Sequence, residues 1–179
     1  MMDILALDIG THTGWAYNRG RAFHAGTWDL ASASEITTWG KQRLTRRQDP
    51  RACRMLDNIR LFGYFDAVVF EDVQFVRSQM QGQLWASLRA AVWLAHCEAG
   101  ATFLEAVPVA TLKKFATGGG SATKERMCGA LIQADNRYAK AAKEDCVRDL
   151  KTNTELDDNA VDAIWLWKWG QQNLGRLKA

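Results

Sequence analysis

Ile4-Leu5-Ala6-Leu7-Asp8-Ile9-Gly10-Thr11 is the stretch on which the reading of this chain turns. Ile4 to Ile9 is an apolar run of strand length, and Gly10 ends it. A strand apolar on both of its alternating faces belongs inside a sheet that is covered on both sides. Asp8 is out of place there, because an ionised carboxylate in such a strand is costly unless it is paired or bound to a cation. The alternative is an aspartate that merely opens the turn at Gly10.

Outward from this strand, Gly14 to Tyr17 and Ala22 to Trp28 read as two more strands, joined by a turn at Asn18-Arg19-Gly20 into an antiparallel meander. Ala31 to Asp49 is polar and mixed, a loop with some helix. A helix is predicted from Pro50 to Phe62, since proline suits a first turn and Met55, Leu56, Ile59 and Phe62 recur at helical spacing. Ala67 to Glu71 fits a short buried strand. Gln83 to Ala99 is a helix with Leu84, Leu88, Ala91, Val92 and Ala95 on one stripe, stopped by Gly100. Thr102 to Val107 is a further strand, followed by a short helix from Pro108 to Phe115 and another from Thr123 to about Ala134. Residues 137–153 are charged and weakly patterned, and the last helix runs from about Asp157 to Asn173. A meander followed by βα units gives an α/β fold, a mixed sheet with helices on both faces. The 179 residues, 1–179, suit a single domain.

Hydrophobic residues make up 47% and charged residues 24%, ordinary values for a globular protein in water. No apolar run approaches the roughly 18 residues of a membrane span, and Met1-Met2-Asp3 is not a basic leader, so the expected place is the cytoplasm and no membrane partner is expected. Cys53, Cys97, Cys128 and Cys146 lack paired spacing and there are three histidines, which favours buried free thiols over a zinc site. The net charge of +3 names no ligand, but Lys41, Arg43, Arg46, Arg47, Arg51 and Arg54 fall within 14 residues opposed only by Asp49. That run is either a solvated face or a strip that contacts phosphates. Of the eight tryptophans, Trp165, Trp167 and Trp169, with Trp85 and Trp93, lie in apolar helices and read as core or dimer contacts rather than as a platform for bases.

Three further acids share the peculiarity of Asp8. Glu71 ends the apolar run from Ala67, and by alternation Glu71 and Asp72 point to opposite faces. Asp158 and Asp162 lie four apart, one above the other on the last helix. Asp157 or Asp158 fits as that helix's cap, but capping does not explain Asp162 among Ala160, Val161, Ala163 and Ile164. Four carboxylates without thiols or imidazoles suit a hard cation, Mg²⁺ or Mn²⁺, and two such ions can clamp the attacking and leaving oxygens of a phosphodiester. A second cluster is Gly118-Gly119-Gly120-Ser121 with Lys113 and Lys114 before it and Lys124 after it. Glycines let a backbone approach a phosphate, and a lysine in a helix's first turn opposes the dipole unless an anion sits there.

On these residues the chain resembles the RuvC-type Holliday-junction resolvases, the phage-like branch in particular. The resemblance is carried by Ile4 to Thr11 with Thr13-Gly14-Trp15, by Val69-Phe70-Glu71-Asp72 with Phe75, by Pro108 to Glu125, and by Asp157 to Ala163, in order along nearly the whole chain. It implies an RNase H-like fold with a mixed five-stranded sheet flanked by helices. It further implies two metals held by Asp8, Glu71, Asp158 and Asp162, with Lys124 in the catalytic set. Many members of that family space the last two acids three apart, which here would set Asn159 opposite Asp162; a carboxylate is the better metal ligand, so Asp158 is preferred. Phe75 matches a side chain thought to enter the junction centre, and Arg77, Lys113, Lys114, Gly118, Gly119, Gly120, Ser121 and Lys124 are assigned to DNA contact. The family reading implies a homodimer on a four-way junction, whose two-fold symmetry two identical sites would match. It implies hydrolytic nicks that leave 5′-phosphates, and no nucleotide cofactor. Core packing is the alternative for Phe75.

Three rivals remain at this point. Asp8-Ile9-Gly10-Thr11 also resembles the first phosphate loop of actin-like and sugar-kinase phosphotransferases, but those need two lobes. A relative acting on RNA, as in the YqgF branch, would carry similar carboxylates. A module that binds branched DNA without cutting would not need all four acids.

Overall fold

The computed structural model describes residues 1–42, 49–73, 78–134, 136–144 and 156–174. Five strands form one sheet: β1 (Ile4–Asp8), β2 (His12–Arg19), β3 (Ala22–Asp29), β4 (Ala67–Asp72) and β5 (Phe103–Pro108), in the order β3-β2-β1-β4-β5. β1, β2 and β3 pair antiparallel, whereas β1–β4 and β4–β5 are parallel. The expected mixed five-stranded sheet is therefore present, with β1 at its centre. The turn between β2 and β3 is not where the sequence suggested. Asn18 stays in the strand and pairs with Phe23, and the chain reverses at Gly20, in a left-handed conformation (φ 57°), and Arg21.

Both faces of the central strands are covered. Ile4 and Ala6 of β1, with Ala67 and Val69 of β4, face α4 (Val109–Thr117), α5 (Lys124–Ala134), α6 (Asn136–Glu144) and α7 (Asp158–Asn173). Leu5, Leu7, Val68 and Phe70 face α2 (Arg51–Arg60) and α3 (Gln79–Ala99). Alternation along β1 therefore decides on which side Asp8 lies: with Ile4 and Ala6, under α7.

Several boundaries differ from the sequence reading, each for a physical reason. The polar stretch after Ala31, expected to hold some helix, contains α1 (Ala33–Lys41), which buries none of its residues; a capping box between Ser32 and Glu35 starts it. α3 begins at Gln79 rather than Gln83, capped by Ser78, and runs through Gly82. The weakly patterned region after Ala134 contains α6, where Ala139 and Ala142 are buried and Tyr138 packs on Phe23 and Trp167. Cys53 and Cys97 are exposed, contrary to the expectation of buried thiols, and Cys128 is buried. Trp165 and Trp167 are core residues, but Trp93 is 50% exposed. Two members of the basic run are spent within the fold. Arg51 binds Asp49 and Thr11, and Arg54 binds Glu35 and the carbonyl of Leu30. Arg43, Arg46 and Arg47 lie outside the described residues. Among the described residues no helix is long and apolar enough to cross a membrane.

α7 lies on the sheet with almost no clearance at either end. A Cβ on Gly14 would stand 1.9 Å from the carbonyl oxygen of Asn159, and one on Gly170 would stand 2.9 Å from Val69. Both glycines are thus required for close approach rather than for a turn. A buried polar knot fixes the helix along its length. Asn18 Oδ1 accepts from the Ile4 amide, from Trp167 Nε1 and from Gln171 Nε2, while its Nδ2 donates to the Met2 carbonyl.

A candidate acidic site at the ends of β1 and β4

β1 and β4 run parallel with Leu7 opposite Phe70, so the next position on each strand sets Asp8 beside Glu71. Both follow the alternation of the α7-facing side. Asp72 goes to the other side of the sheet, as its position predicts, and accepts from Arg89 of α3 at 2.8 Å. Asp8 is also paired in register with Gly14, the residue against which the first turn of α7 rests. The absent Cβ of Gly14 is what lets that turn bring its acids down to the strand ends.

Asp8, Glu71 and Asp162 act on one another. Burial raises the Asp8 carboxyl well above the usual carboxylate range, and the charges of Glu71 and Asp162 raise it further. Asp8 and Glu71 also share a side-chain hydrogen bond, which acts in the same upward direction on Asp8 and in the downward direction on Glu71. Glu71 is also raised by burial, against the opposing pull of Asp8's hydrogen bond and the ammonium groups of Lys113 and Lys124. Asp162 is pushed up to about 7, first by burial and then by Glu71, again opposed by Lys124 and Lys113. All three keep some exposure to solvent, as a site that admits a substrate must.

The fourth acid behaves differently. Asp158 is buried and forms an ion pair with Lys124, itself 56% exposed at the side chain. The cap of α7 is Asp157, which accepts from the amides of Asn159 and Ala160. Asp157 is therefore the structural member of the adjacent pair, and Asp158 and Asp162 remain as candidates for the site.

The donor chemistry is all oxygen, which suits Mg²⁺ or Mn²⁺ rather than a thiophilic metal. Carboxylates crowded enough to hold each other's protons form a site short of positive charge, and a divalent cation would answer that need. Among the described residues no three His, Cys, Asp or Glu side chains are already disposed as a cage around an ion. The acids converge, but their carboxyls would have to turn to ligate one.

Around this cluster, Lys113 is half-buried on α4 and faces Glu71 and Asp162, a closer role than DNA contact alone had suggested, while Lys114 is exposed. The loop after α4 uses glycine's freedom at Gly118, which is left-handed (φ 79°) and donates to the Lys114 carbonyl. The Gly119 amide is drawn to Thr117 Oγ1, and Thr123 Oγ1 accepts from the Arg126 amide at the start of α5. Gly120 and Ser121 are exposed beside them. Phe75 and Arg77 lie outside the described residues. The sequence reading gave Gly14 no role in seating α7, placed Asn18 in a turn, and did not single out Arg89. Only Gly14 carried a signal, a glycine within a strand pattern.

A mixed sheet of this order, with acids at the carboxyl ends of two adjacent parallel strands and on the helix that crosses them, defines the RNase H-like fold. Within it, the chain has the fold of the RuvC-type Holliday-junction resolvases. It is similar to the solved RuvC of T. thermophilus in complex with Holliday junction substrate, with a TM-score of 0.64, 18% identity, and coverage of 99% of this chain and 97% of that one. A further Thermus thermophilus RuvC structure matches at a TM-score of 0.54 and 19% identity over 94% of this chain and 97% of that one. The yeast mitochondrial Holliday junction resolvase Ydc2 matches at 0.57 and 13% over 94% of this chain and 79% of that one. At these identities the likeness is one of fold. No protein-family model and no curated protein matches the chain.

Proposed function

We propose that the chain is a metal-dependent endonuclease, a single domain over residues 1–179, that resolves four-way junctions or other branched DNA in a bacterial or phage-infected cell. The observation that carries this reading is the convergence of Asp8, Glu71 and Asp162 with Lys113 and Lys124 on one face of an RNase H-like sheet. Asp8, Glu71 and Asp162 would hold Mg²⁺ or Mn²⁺, two ions in all, with Asp158 joining once Lys124 turns to substrate. Bound there, such ions supply an activated water and neutralise charge on the leaving oxygen.

The chain's own groups have distinct tasks. Asp8 and Glu71, fixed by strand register, set the position of the cluster. Asp162 comes from a helix that rests backbone on backbone against β2, so the spacing between strand acids and helix acid is rigid. Lys113 and Lys124 present ammonium groups to a scissile phosphate, and Lys114, the 118–121 loop, Phe75 and Arg77 would bind flanking backbone or the junction centre. Two copies would nick a two-fold junction symmetrically and leave 5′-phosphates.

The test is cleavage of synthetic four-way junctions, forks, flaps and structured RNA with Mg²⁺, Mn²⁺, Ca²⁺ or no metal. Junction nicking that needs Mg²⁺ or Mn²⁺ is expected. Binding without nicking in Mg²⁺ would make the chain a junction-binding module, and preference for RNA would move it to the RNA-processing relatives. Asp8→Asn is expected to keep the fold and to lower nicking by at least about a hundredfold, since loss of even a metal ligand's supporting partner costs roughly 10–100-fold.

A further inference from the structure

We infer that the cavity between α1 and the amino-terminal half of α3 receives one unstacked base of the DNA. The inference rests on the branched-DNA reading above and adds to it a second point of contact, on the face of the sheet away from the acids. α1 buries none of its residues, so the core does not hold it in place. Polar contacts do so instead. Glu35 accepts from Arg54 at 2.7 Å, and the Arg51 guanidinium lies 5.7 Å from the centre of the Trp39 ring. A helix fastened in this way, with nothing of its own buried, stands as a wall.

The space behind that wall encloses about 400 Å³. Ile36 and Trp39 line it from α1, and Met80 and Leu84 line it from α3. Ile36 and Met80 are 39% and 57% exposed, so apolar surface is left to water on both sides of one cleft. Asp49 and Gln83 add hydrogen-bonding groups to the lining. Its volume falls toward the lower end of the roughly 300–1,000 Å³ of small-molecule sites. An aromatic, largely apolar cleft of that size with few polar groups has the chemistry for a single base. A duplex is far too wide for it.

Charge and position select a base of nucleic acid over other flat apolar groups. Between Ile36 and Leu56 the chain carries Lys41, Arg43, Arg46, Arg47, Arg51 and Arg54 against one acid, Asp49, which Arg51 already holds. This part of the chain thus has an excess of positive charge, which suits the phosphates on either side of a base. Arg51 also donates to Thr11 at 2.7 Å, three residues beyond Asp8, and so ties the cavity to the carboxyl end of β1. The acids sit at that same end, on the α7 side. A strand with its scissile phosphate at the acids has neighbouring nucleotides at this rim, and bases beside a branch point are the least costly to unstack.

The test is binding of the full-length chain to four-way junctions in metal-free buffer, where no nicking is expected. Nucleotides near the crossover are replaced one at a time by abasic sites. At one position the abasic site is expected to weaken binding by the native chain about tenfold, the size of one lost base–aromatic stack. Trp39→Ala should weaken binding of the intact junction by a like factor and be indifferent to that abasic site, while Trp39→Phe should keep most of the effect. Circular dichroism of Trp39→Ala should stay native, since α1 adds nothing to the core. Without any variant, 5-iodouracil placed at the same positions in turn should, at one of them, cross-link the native chain within α1 or α3 under ultraviolet light. Equal sensitivity to every abasic site in the native chain and in Trp39→Ala, with no cross-link to α1 or α3, overturns the base site and leaves the nuclease reading standing. A chain that binds no branched DNA overturns both. Trp39-dependent recognition of a base without nicking in Mg²⁺ supports the site and overturns the nuclease.

Discussion

Asp162 titrates near pH 7 because a carboxyl in packed surroundings, beside Glu71, resists giving up its proton, and Asp8 is raised for the same causes. In the unfolded chain both would ionise near the ordinary value of 3.8. The folded state therefore binds more protons across the interval above that value, and stability must fall as pH rises through it. The metal-free protein is expected to melt at a higher temperature at pH 5 than at pH 8. Mg²⁺ should raise the melting temperature more at pH 8 than at pH 6, because ligation displaces protons. Melting curves in chelator and in Mg²⁺ check both; a metal-free protein more stable at pH 8 would mean that these acids do not share one site. Lys124 gives a second expectation. Its ion pair with Asp158 has an exposed partner, so Lys124→Ala should cost no more than about 1 kcal/mol of stability. It should cost far more in nicking rate. A large loss of melting temperature with normal turnover would make Lys124 structural.

Among elements, the decisive relation is between β2 and α7. Gly14→Ala forces a methyl into the backbone of Asn159, and the clash cannot be relieved by a side chain. Such overpacking costs roughly 1–3 kcal/mol or more, and here it also lifts the helix that carries Asp162. Stability and nicking should fall together. Gly129→Ala is the contrast: it lies within α5 with nothing within 4 Å of an added Cβ, and it should gain about 0.5–1 kcal/mol. Thermal melts of the two variants test the pair. The strands and most helices were legible because their apolar periods are strong: β1, β4 and the buried stripe of α3 all fall where alternation or helical spacing sets them. α6 was not, since it buries mainly alanines, and α1 was legible only as some helix without bounds, since it buries nothing. In the site, Asp8 and Glu71 were legible as acids ending apolar strands, and Asp162 as an acid inside an apolar helix. The inward turn of Lys113 was not, because a Lys-Lys pair in sequence does not say which of the two faces the protein.

For the molecule as a whole, Asn18 joins what the chain keeps farthest apart, linking the second strand to the first residues and to Trp167 and Gln171 of the last helix. Asn18→Ala would leave the Ile4 amide and the Trp167 indole N–H buried without that acceptor. At about 1–3 kcal/mol for each stranded donor, a loss of roughly 2–6 kcal/mol is expected. Denaturant unfolding measures it, and a change under 1 kcal/mol would mean that other acceptors take over. A polar residue followed by Arg19 and Gly20 reads as a turn from sequence alone, since a partner 149 residues away leaves no local trace.

The contact between Gly14 and Asn159 has a consequence for how such a chain can change over time. Where two backbones touch, the gap between them is a gauge that no exchange of side chains elsewhere can reset. Core residues on either face are then free to drift while the reach from strand end to helix stays constant.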